Sequence, residues 1–150
     1  MKRVAVLLLL PLAVACASLH GGADAGAASP TAAIQRFLDS AKRRDLVAME
    51  QVWGTDKGVA SATMTRKELE RRELIMIQCL RHEKATIGAP GPSEGGRLRI
   101  PVDLAMNAKR ASPIFTVVRG PASHWYVENF ELDQLRDQGF CELPSTPQKP

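Results

Sequence analysis

The chain lacks the short motifs that reveal a chemistry most directly. Its 150 residues contain no glycine-rich phosphate-binding loop, no serine nucleophile elbow and no Cys-x-x-Cys pair. His20, His82 and His124 are scattered, and no cysteines or carboxylates have the spacing of metal ligands. The sequence therefore predicts no bound metal and no cofactor, and it contains no recognisable catalytic motif.

A membrane-spanning apolar run and a strong net charge are missing as well. The apolar segment 4–14 has 11 residues and includes Pro11, whereas a spanning helix needs about 20. Because Lys2 and Arg3 precede it, the segment is typical of a cleaved export signal. Its removal would take two cations from a formal net charge of only +4. So small a positive excess in an exported protein argues against a nucleic-acid partner.

Residues 12–16, Leu-Ala-Val-Ala-Cys, resemble a bacterial lipobox, in which the cysteine thiol is joined to diacylglycerol and the chain is cut just before it. The resemblance implies that 1–15 is a signal peptide and that Cys16 is the lipidated N-terminus, held durably at the membrane by several acyl chains. Ala17 follows the cysteine, which favours the periplasmic side of the outer membrane in a host with two membranes. Free secretion after ordinary cleavage and an uncleaved N-terminal helix are the alternatives.

Composition divides the remainder of the chain into three parts. Residues 16–28 are mainly alanine, glycine and serine and are expected to form a flexible tether behind the lipidated cysteine. Residues 29–142 are long enough for one domain with its own core. Residues 143–150 contain three prolines and are expected to be a disordered tail.

With Cys16 lipidated, Cys79 and Cys141 remain as an even pair. Exported proteins fold in an oxidising compartment, so we expect a disulfide between them. The alternative is two separate buried thiols that pack as small hydrophobic groups.

Three helices are predicted in the first half of the domain. Ser29 and Pro30 open the first helix, Asp45 caps a short second one, and Thr65 with Glu68 forms a capping box at the start of a third that ends near residue 81. The charged first half of the third helix, with i,i+4 pairs such as Glu68 and Arg72, is expected to be solvated. Its apolar second half is expected to be buried all round.

Beyond residue 83 the pattern alternates and predicts four strands, near 84–88, 97–106, 114–119 and 124–132. Pro101 cannot donate to a ladder, so it predicts an edge position or a bulge in the second strand. Short connections make neighbouring strands antiparallel. The predicted fold class is α+β, with three N-terminal helices packed on a curved four-stranded antiparallel sheet.

Three segments of this arrangement resemble the nuclear transport factor 2-like superfamily, the cystatin-like α+β roll. They are the opening helix at 29–38 with its Ser-Pro cap, the Asp that starts a short helix in 42–46, and the last strand at 124–128 with an aromatic pair near a Glu. Small bacterial lipoproteins of that superfamily share these features. The resemblance implies a cone with a pocket between the first helix and the sheet. It implies no activity, because the same scaffold serves isomerases, dehydratases and interaction modules.

Phe37, Trp53 and Phe130 are the residues expected to line that pocket. Trp53 has a simpler interpretation as a plug that closes the core. By strict alternation, Tyr126, Glu128 and Phe130 share one face of the last strand, which would direct Glu128 to the pocket or its rim.

Glu128, Tyr126 and His82 are the candidates for acid–base chemistry, with Glu128 as the base and either Tyr126 or His82 as the hydrogen-bond donor. Each has a structural alternative; His82, for example, stands where it can satisfy carbonyl groups at a helix C-terminus.

Three functions are compatible with these patterns. The first is a non-enzymatic module, tethered to the membrane by its lipid, that binds an envelope protein or a small apolar ligand. The second is an isomerase-like or dehydratase-like enzyme acting on a small hydrophobic substrate. The third is a structural envelope component that forms a homodimer through the open face of its sheet.

Overall fold

The helices begin at the capping residues that the sequence indicates. A computed structural model describes residues 25–141 and contains four helices in that range. Ser29, Asp45 and Thr65 each accept a hydrogen bond from the backbone N–H three residues further on, at 3.1, 3.0 and 3.3 Å. Each therefore satisfies an N–H group that a first helical turn leaves without a partner. The helices are α1 (Pro30–Arg43), α2 (Leu46–Glu50), α3 (Arg66–Cys79) and α4 (Leu132–Asp137).

The fourth helix, α4, corrects the three-helix prediction. It is followed by Gly139, which has a φ of +72°, and the Phe140 N–H donates to the Leu135 carbonyl at 2.9 Å. This is the hydrogen bond of a Schellman motif, in which a left-handed glycine ends a helix and apolar residues on either side of it meet. Leu135 and Phe140 are both fully buried, so this short helix contributes to the core.

Between residues 25 and 141 the main sheet is antiparallel and has six strands that occupy four positions. A separate two-stranded hairpin is formed by β1 (Gly54–Thr55) and β2 (Gly58–Val59). The strands of the main sheet are β3 (Lys84–Ile87), β4 (Gly91–Pro92), β5 (Leu98–Met106), β6 (Lys109–Ala111), β7 (Ile114–Arg119) and β8 (Trp125–Phe130). Their order is β3-β5-β7-β8, with β4 and β6 pairing with β5 beyond the ends of β3 and β7. Strands lie at the four predicted positions, although the last one ends at Phe130 rather than at residue 132. The strands β1, β2, β4 and β6 were not predicted.

Pro101 does not put β5 at an edge, because β5 has neighbours on both sides. The Pro101 carbonyl accepts from the Gly88 N–H at 2.8 Å. In an antiparallel strand, the N–H and the C=O of one residue point to the same side. The N–H that Pro101 lacks would therefore point toward β3 and β4. On that side β3 ends at residue 87, and β4 begins only at residue 91. The proline therefore faces an interruption in the neighbouring strand, where no donor is required.

The core lies between the helices and one face of the sheet. The apolar stripe predicted for α1 is buried there, and its centre, Phe37, contacts two aromatic rings of the sheet. Its ring centroid is 6.4 Å from that of Phe115 and 6.1 Å from that of Phe130, and the last two rings stack at 5.2 Å. Aromatic contacts of this kind stabilise a core by about 0.5–1.5 kcal/mol each beyond the area that they bury.

The burial of α3 differs from the prediction in both halves. In the apolar half, Leu74 is 54% exposed and Ile75 is 37% exposed, because α3 packs on the domain with one face and no element of the described chain covers the other. In the charged half, Glu73 is fully buried. The predicted ion pair between Glu68 and Arg72 is present at 2.7 Å.

Cys79 and Cys141 form the predicted disulfide, with an S–S distance of 2.17 Å and a sequence separation of 62 residues. Cys79 is the last residue of α3, and Cys141 follows α4. The bond therefore ties the C-terminal segment to the helix against which α4 packs.

The ordered contacts begin before residue 29, where the tether was predicted to end. Ala27 exchanges two backbone hydrogen bonds with Trp125, at 2.9 and 2.8 Å, and is buried. Residue 27 is therefore packed against the last strand of the domain. The predicted signal peptide, Cys16, the rest of the tether and the tail at 143–150 lie outside the described residues. Between residues 25 and 141, no helix has both the length and the apolar character needed to cross a membrane.

Candidate functional site

A half-open cleft of about 280 Å³ lies between α3 and the C-terminal half of β8, and we call it the α3–β8 cleft. Its lining includes Phe37 of α1, Trp53 from the segment between α2 and β1, and Phe130 of β8, so the structure brings together the three residues expected to line a pocket. All three are at least nine-tenths buried. The other lining residues are Arg71, Arg72, Ile75 and Met76 of α3, Val127, Glu128 and Asn129 of β8, and Leu132 of α4.

A β-bulge in β8 shapes one wall of the cleft. Asn129 pairs with Thr116 and Val127 pairs with the next residue of β7, so Glu128 is an extra residue without a partner in the ladder. A bulge shifts the alternation of side chains along a strand. Val127 and Phe130, three positions apart, therefore both reach the core.

The prediction that Tyr126, Glu128 and Phe130 share one face is wrong for this reason. Tyr126 is buried outside the main core cluster, under the backbone at Gly26 and Gly120. A Cβ atom added at either glycine would lie 2.8 Å from an atom of the tyrosine side chain. Burial raises the pKa of the Tyr126 hydroxyl, but this residue does not line the cleft.

Glu128 lines the cleft, but both of its carboxylate oxygens are engaged. Arg97 Nε donates to Oε2 at 2.5 Å, and Arg97 Nη2 donates to Oε1 at 2.7 Å. The hydrogen bond and the carboxylate charge raise the pKa of the Arg97 guanidinium. A carboxylate held in this bidentate geometry is poorly placed to accept a proton from a substrate, since it would first have to leave the guanidinium.

His82 lies in a different part of the molecule. Its Nδ1 is 2.7 Å from the Leu80 carbonyl oxygen just past α3, which is the structural role indicated by its place near a helix C-terminus. It lines a polar depression that also includes Lys42 and Asn107. Glu128, Tyr126 and His82 thus occupy three separate places and do not converge on a common point.

Glu73 is a buried ionisable residue that the sequence analysis missed. Neither of its carboxylate oxygens has a hydrogen-bond partner among the described residues. Burial raises the pKa of Glu73 to about 7; the nearby charge of Glu50 adds to the increase, Arg66 opposes it and Glu70 makes a smaller upward contribution. Arg66 Nη1 is itself 2.7 Å from Glu50 Oε1.

A sequence pattern could have revealed the burial of Glu73. It is four residues after Leu69 and four before Ile77, both buried on the inner face of α3, and helical spacing puts all three on one side. Its charge concealed this, because a glutamate in a charged run is usually solvated. Glu73 does not line the α3–β8 cleft.

Two polar side chains of the cleft have no partner in the described part of the chain. Arg71 makes no ion pair or hydrogen bond between residues 25 and 141, and the same holds for the side chain of Asn129. By contrast, Arg72 donates from Nε and Nη2 to Glu68 Oε1, at 3.1 and 2.7 Å. The cleft therefore combines an apolar floor with one unmatched positive charge.

Within the same range, no group of three or more histidine, cysteine or carboxylate side chains is arranged to hold a metal ion. Comparison with known proteins finds no matching family model, no similar curated protein and no similar solved structure. The resemblance to the nuclear transport factor 2-like superfamily therefore stays a prediction.

Proposed function

We propose that this protein is an exported, lipid-anchored binding module of the cell envelope, and that the α3–β8 cleft takes a small, mainly apolar ligand. The cleft carries the proposal. A concave site with a mostly apolar lining and a few polar groups is the usual form of a small-molecule site, and about 280 Å³ is just below the roughly 300–1,000 Å³ typical of such sites. The ligand is accordingly small.

The exposed residues around the cleft support binding there. Ile75, which lines the cleft, is 37% exposed, and Leu74 beside it is 54% exposed. With Val47 on α2, they are the large apolar side chains that stand out as exposed in the described part. Of these three side chains, Ile75 lines the cleft, where a bound apolar group would remove its exposed surface from water.

The polar groups support binding more than acid–base catalysis. Among the described residues, Glu128 is the one carboxylate that lines the cleft, and Arg97 occupies both of its oxygens. An enzyme of the predicted kind needs a base and a hydrogen-bond donor within reach of one substrate. Tyr126 and His82 are elsewhere, so this function is not favoured.

The outward face of the sheet does not favour a dimer of the predicted kind. On the long central strand this face presents Arg99, Pro101 and Asp103 to solvent. A stable homodimer interface is richer in apolar side chains than the rest of the surface. The exposed large hydrophobic side chains of the described chain, Val47, Leu74 and Ile75, lie instead on helices.

A titration of the methyl-labelled full chain with 1-octanol tests the proposed function. Binding in the cleft should shift the methyl signals of Ile75, Val127 and Leu132 along one saturable curve. Val47 is the internal control for nonspecific binding to exposed apolar surface. It does not line the cleft, and at 65% exposure it is more accessible than Ile75 or Val127. Shifts confined to Val47 and Leu74, or no saturable shift at all, would overturn the proposal.

A further inference from the structure

The charges on the first turns of α3 form an incomplete set of pairs. Arg66 pairs with Glu70, and Glu68 pairs with Arg72, each across four residues at 2.7 Å. Between these pairs lies a third i,i+4 combination that consists of two cations, Lys67 and Arg71. Neither has an ion pair or a hydrogen bond to any residue in the range 25–141.

A like-charge pair at this spacing destabilises a helix by about 0.2–0.5 kcal/mol. Lys67 and Arg71 border one shallow depression on α3, and Arg71 also lines the adjoining α3–β8 cleft. Arg71 therefore stands where the depression meets the cleft. An anion bound there would offset the repulsion between the two cations.

The remaining charges of the cleft are already matched. Arg72 is neutralised by Glu68, and Glu128 by Arg97. Among the described residues that line the cleft itself, the carboxylate is that of Glu128, and both of its oxygens are occupied. Glu68 borders the adjoining depression, where its Oε1 accepts from Arg72. This charge distribution favours a ligand with a negative charge over one with a positive charge.

We propose that the ligand of the α3–β8 cleft is an amphipathic anion, a small apolar body with one carboxylate, and that Arg71 binds the carboxylate. The inference rests on the proposed function of the cleft and adds the charge of its ligand. Arg71 suits the role because its planar guanidinium can donate two parallel hydrogen bonds to a carboxylate. Lys67 adds positive potential at the same opening, and the apolar body lies toward Phe37 and Phe130.

The cleft limits the length of the apolar body. A volume of about 280 Å³ corresponds to roughly nine groups the size of a water molecule, at about 30 Å³ each. A chain of about eight carbons is therefore the appropriate probe. Octanoate and its neutral analogue octanamide have the same length and differ mainly in charge.

The test compares the dissociation constants with which the full chain binds octanoate and octanamide. Both constants are measured from methyl chemical shifts at pH 7.5 and low ionic strength. Octanoate should bind three- to tenfold more tightly, as expected for a partly exposed charge-assisted contact. Arg71→Gln should abolish that preference by weakening octanoate binding alone. Arg43→Gln is the control, since Arg43 is an exposed cation at the end of α1 and does not line the cleft.

The outcomes separate this inference from the proposed function. Equal affinity for the two probes in the parent protein, or an octanoate preference that survives in Arg71→Gln, overturns the assignment of the anion while apolar binding stands. Saturable binding of neither probe overturns the proposed function and the inference together. Loss of the preference in Arg71→Gln, with retention in Arg43→Gln, supports both.

Discussion

Arg97 and Glu128 are joined by two parallel hydrogen bonds, of 2.5 and 2.7 Å. Arg97 directly precedes β5 and Glu128 lies in β8, so the pair bridges two strands that β7 separates. Glu128 is available for this contact because the bulge in β8 releases it from the ladder. The pair neutralises the carboxylate that lines the α3–β8 cleft. The most obvious acid–base candidate in the sequence therefore has a structural role.

Glu128→Gln tests that role. The pair is partly exposed, with side-chain exposures of 34% for Arg97 and 19% for Glu128, so its loss should lower the free energy of unfolding by about 1 kcal/mol or less. Binding of octanoate should be unchanged or slightly tighter, because a negative charge is removed from the cleft. Urea unfolding and the octanoate titration measure the two effects. A loss of binding beyond tenfold in a folded variant would contradict the structural role.

Glu73 predicts a pH dependence of stability. Its pKa of about 7 in the folded protein is above the ordinary glutamate value of 4.5, so the folded state binds more protons than the unfolded state between these values. Stability should then fall as pH rises from about 4.5 to 7, by up to about 3 kcal/mol.

Glu73→Gln isolates this contribution, because glutamine resembles the protonated carboxyl group. The variant should be about as stable as the parent at pH 4.5 and more stable at pH 8, as measured by urea unfolding at both values. Glu70→Gln, on the exposed side of the same helix, should show no such gain at pH 8. If Glu73→Gln changes the stability equally at both pH values, the buried carboxylate does not titrate as described.

The Cys79–Cys141 disulfide should stabilise the domain and the cleft together. In the chain-entropy model, closing a loop of this length contributes about 4 kcal/mol to the free energy of unfolding. Leu132 of α4 lines the cleft, so the replacement Cys141→Ser, which releases the segment after α4, should also weaken octanoate binding.

Parent protein treated with a reductant is the matched control for Cys141→Ser. It should show the same fall in urea midpoint and the same weaker binding as the variant. An unchanged midpoint on reduction would mean that the disulfide makes no net contribution to stability.

Export and lipidation are predicted from the first sixteen residues alone. In a bacterial host that processes lipoproteins, the full chain should incorporate radiolabelled palmitate and sediment with membranes. Cys16→Ser should abolish both, whereas Cys79→Ser should abolish neither. Label that persists in Cys16→Ser would exclude this cysteine as the attachment site.

Local patterns predicted most of the fold, because they depend on neighbours in the sequence. The starts of α1, α2 and α3 depend on caps at Ser29, Asp45 and Thr65, each of which acts within three residues. The fourth helix also ends in a local signal, the glycine Gly139 before the apolar Phe140. The helix itself has only six residues, however, which is too short for a clear helical pattern in the sequence.

The details of the site depend on contacts that the sequence does not display. Both faces of β8 carry aromatic or apolar residues, so alternation could not reveal the bulge at Glu128 or the separate place of Tyr126. The burial of Glu73 is consistent with its helical spacing to Leu69 and Ile77, but its place in a charged run concealed it. Pairing of Arg97 with Glu128, 31 residues apart, depends on the order of the strands.

The central claim is that the α3–β8 cleft binds a small apolar ligand, and a pair of adjacent substitutions tests it most directly. Ile75 lines the cleft and is 37% exposed, whereas Leu74 is 54% exposed and does not line it. The measurement is the dissociation constant of octanoate for Ile75→Trp and Leu74→Trp, beside the parent. We predict that Ile75→Trp, whose indole fills the cleft, weakens binding at least tenfold, while Leu74→Trp leaves it within twofold. Equal binding by both variants would show that octanoate does not occupy the cleft and would contradict the account.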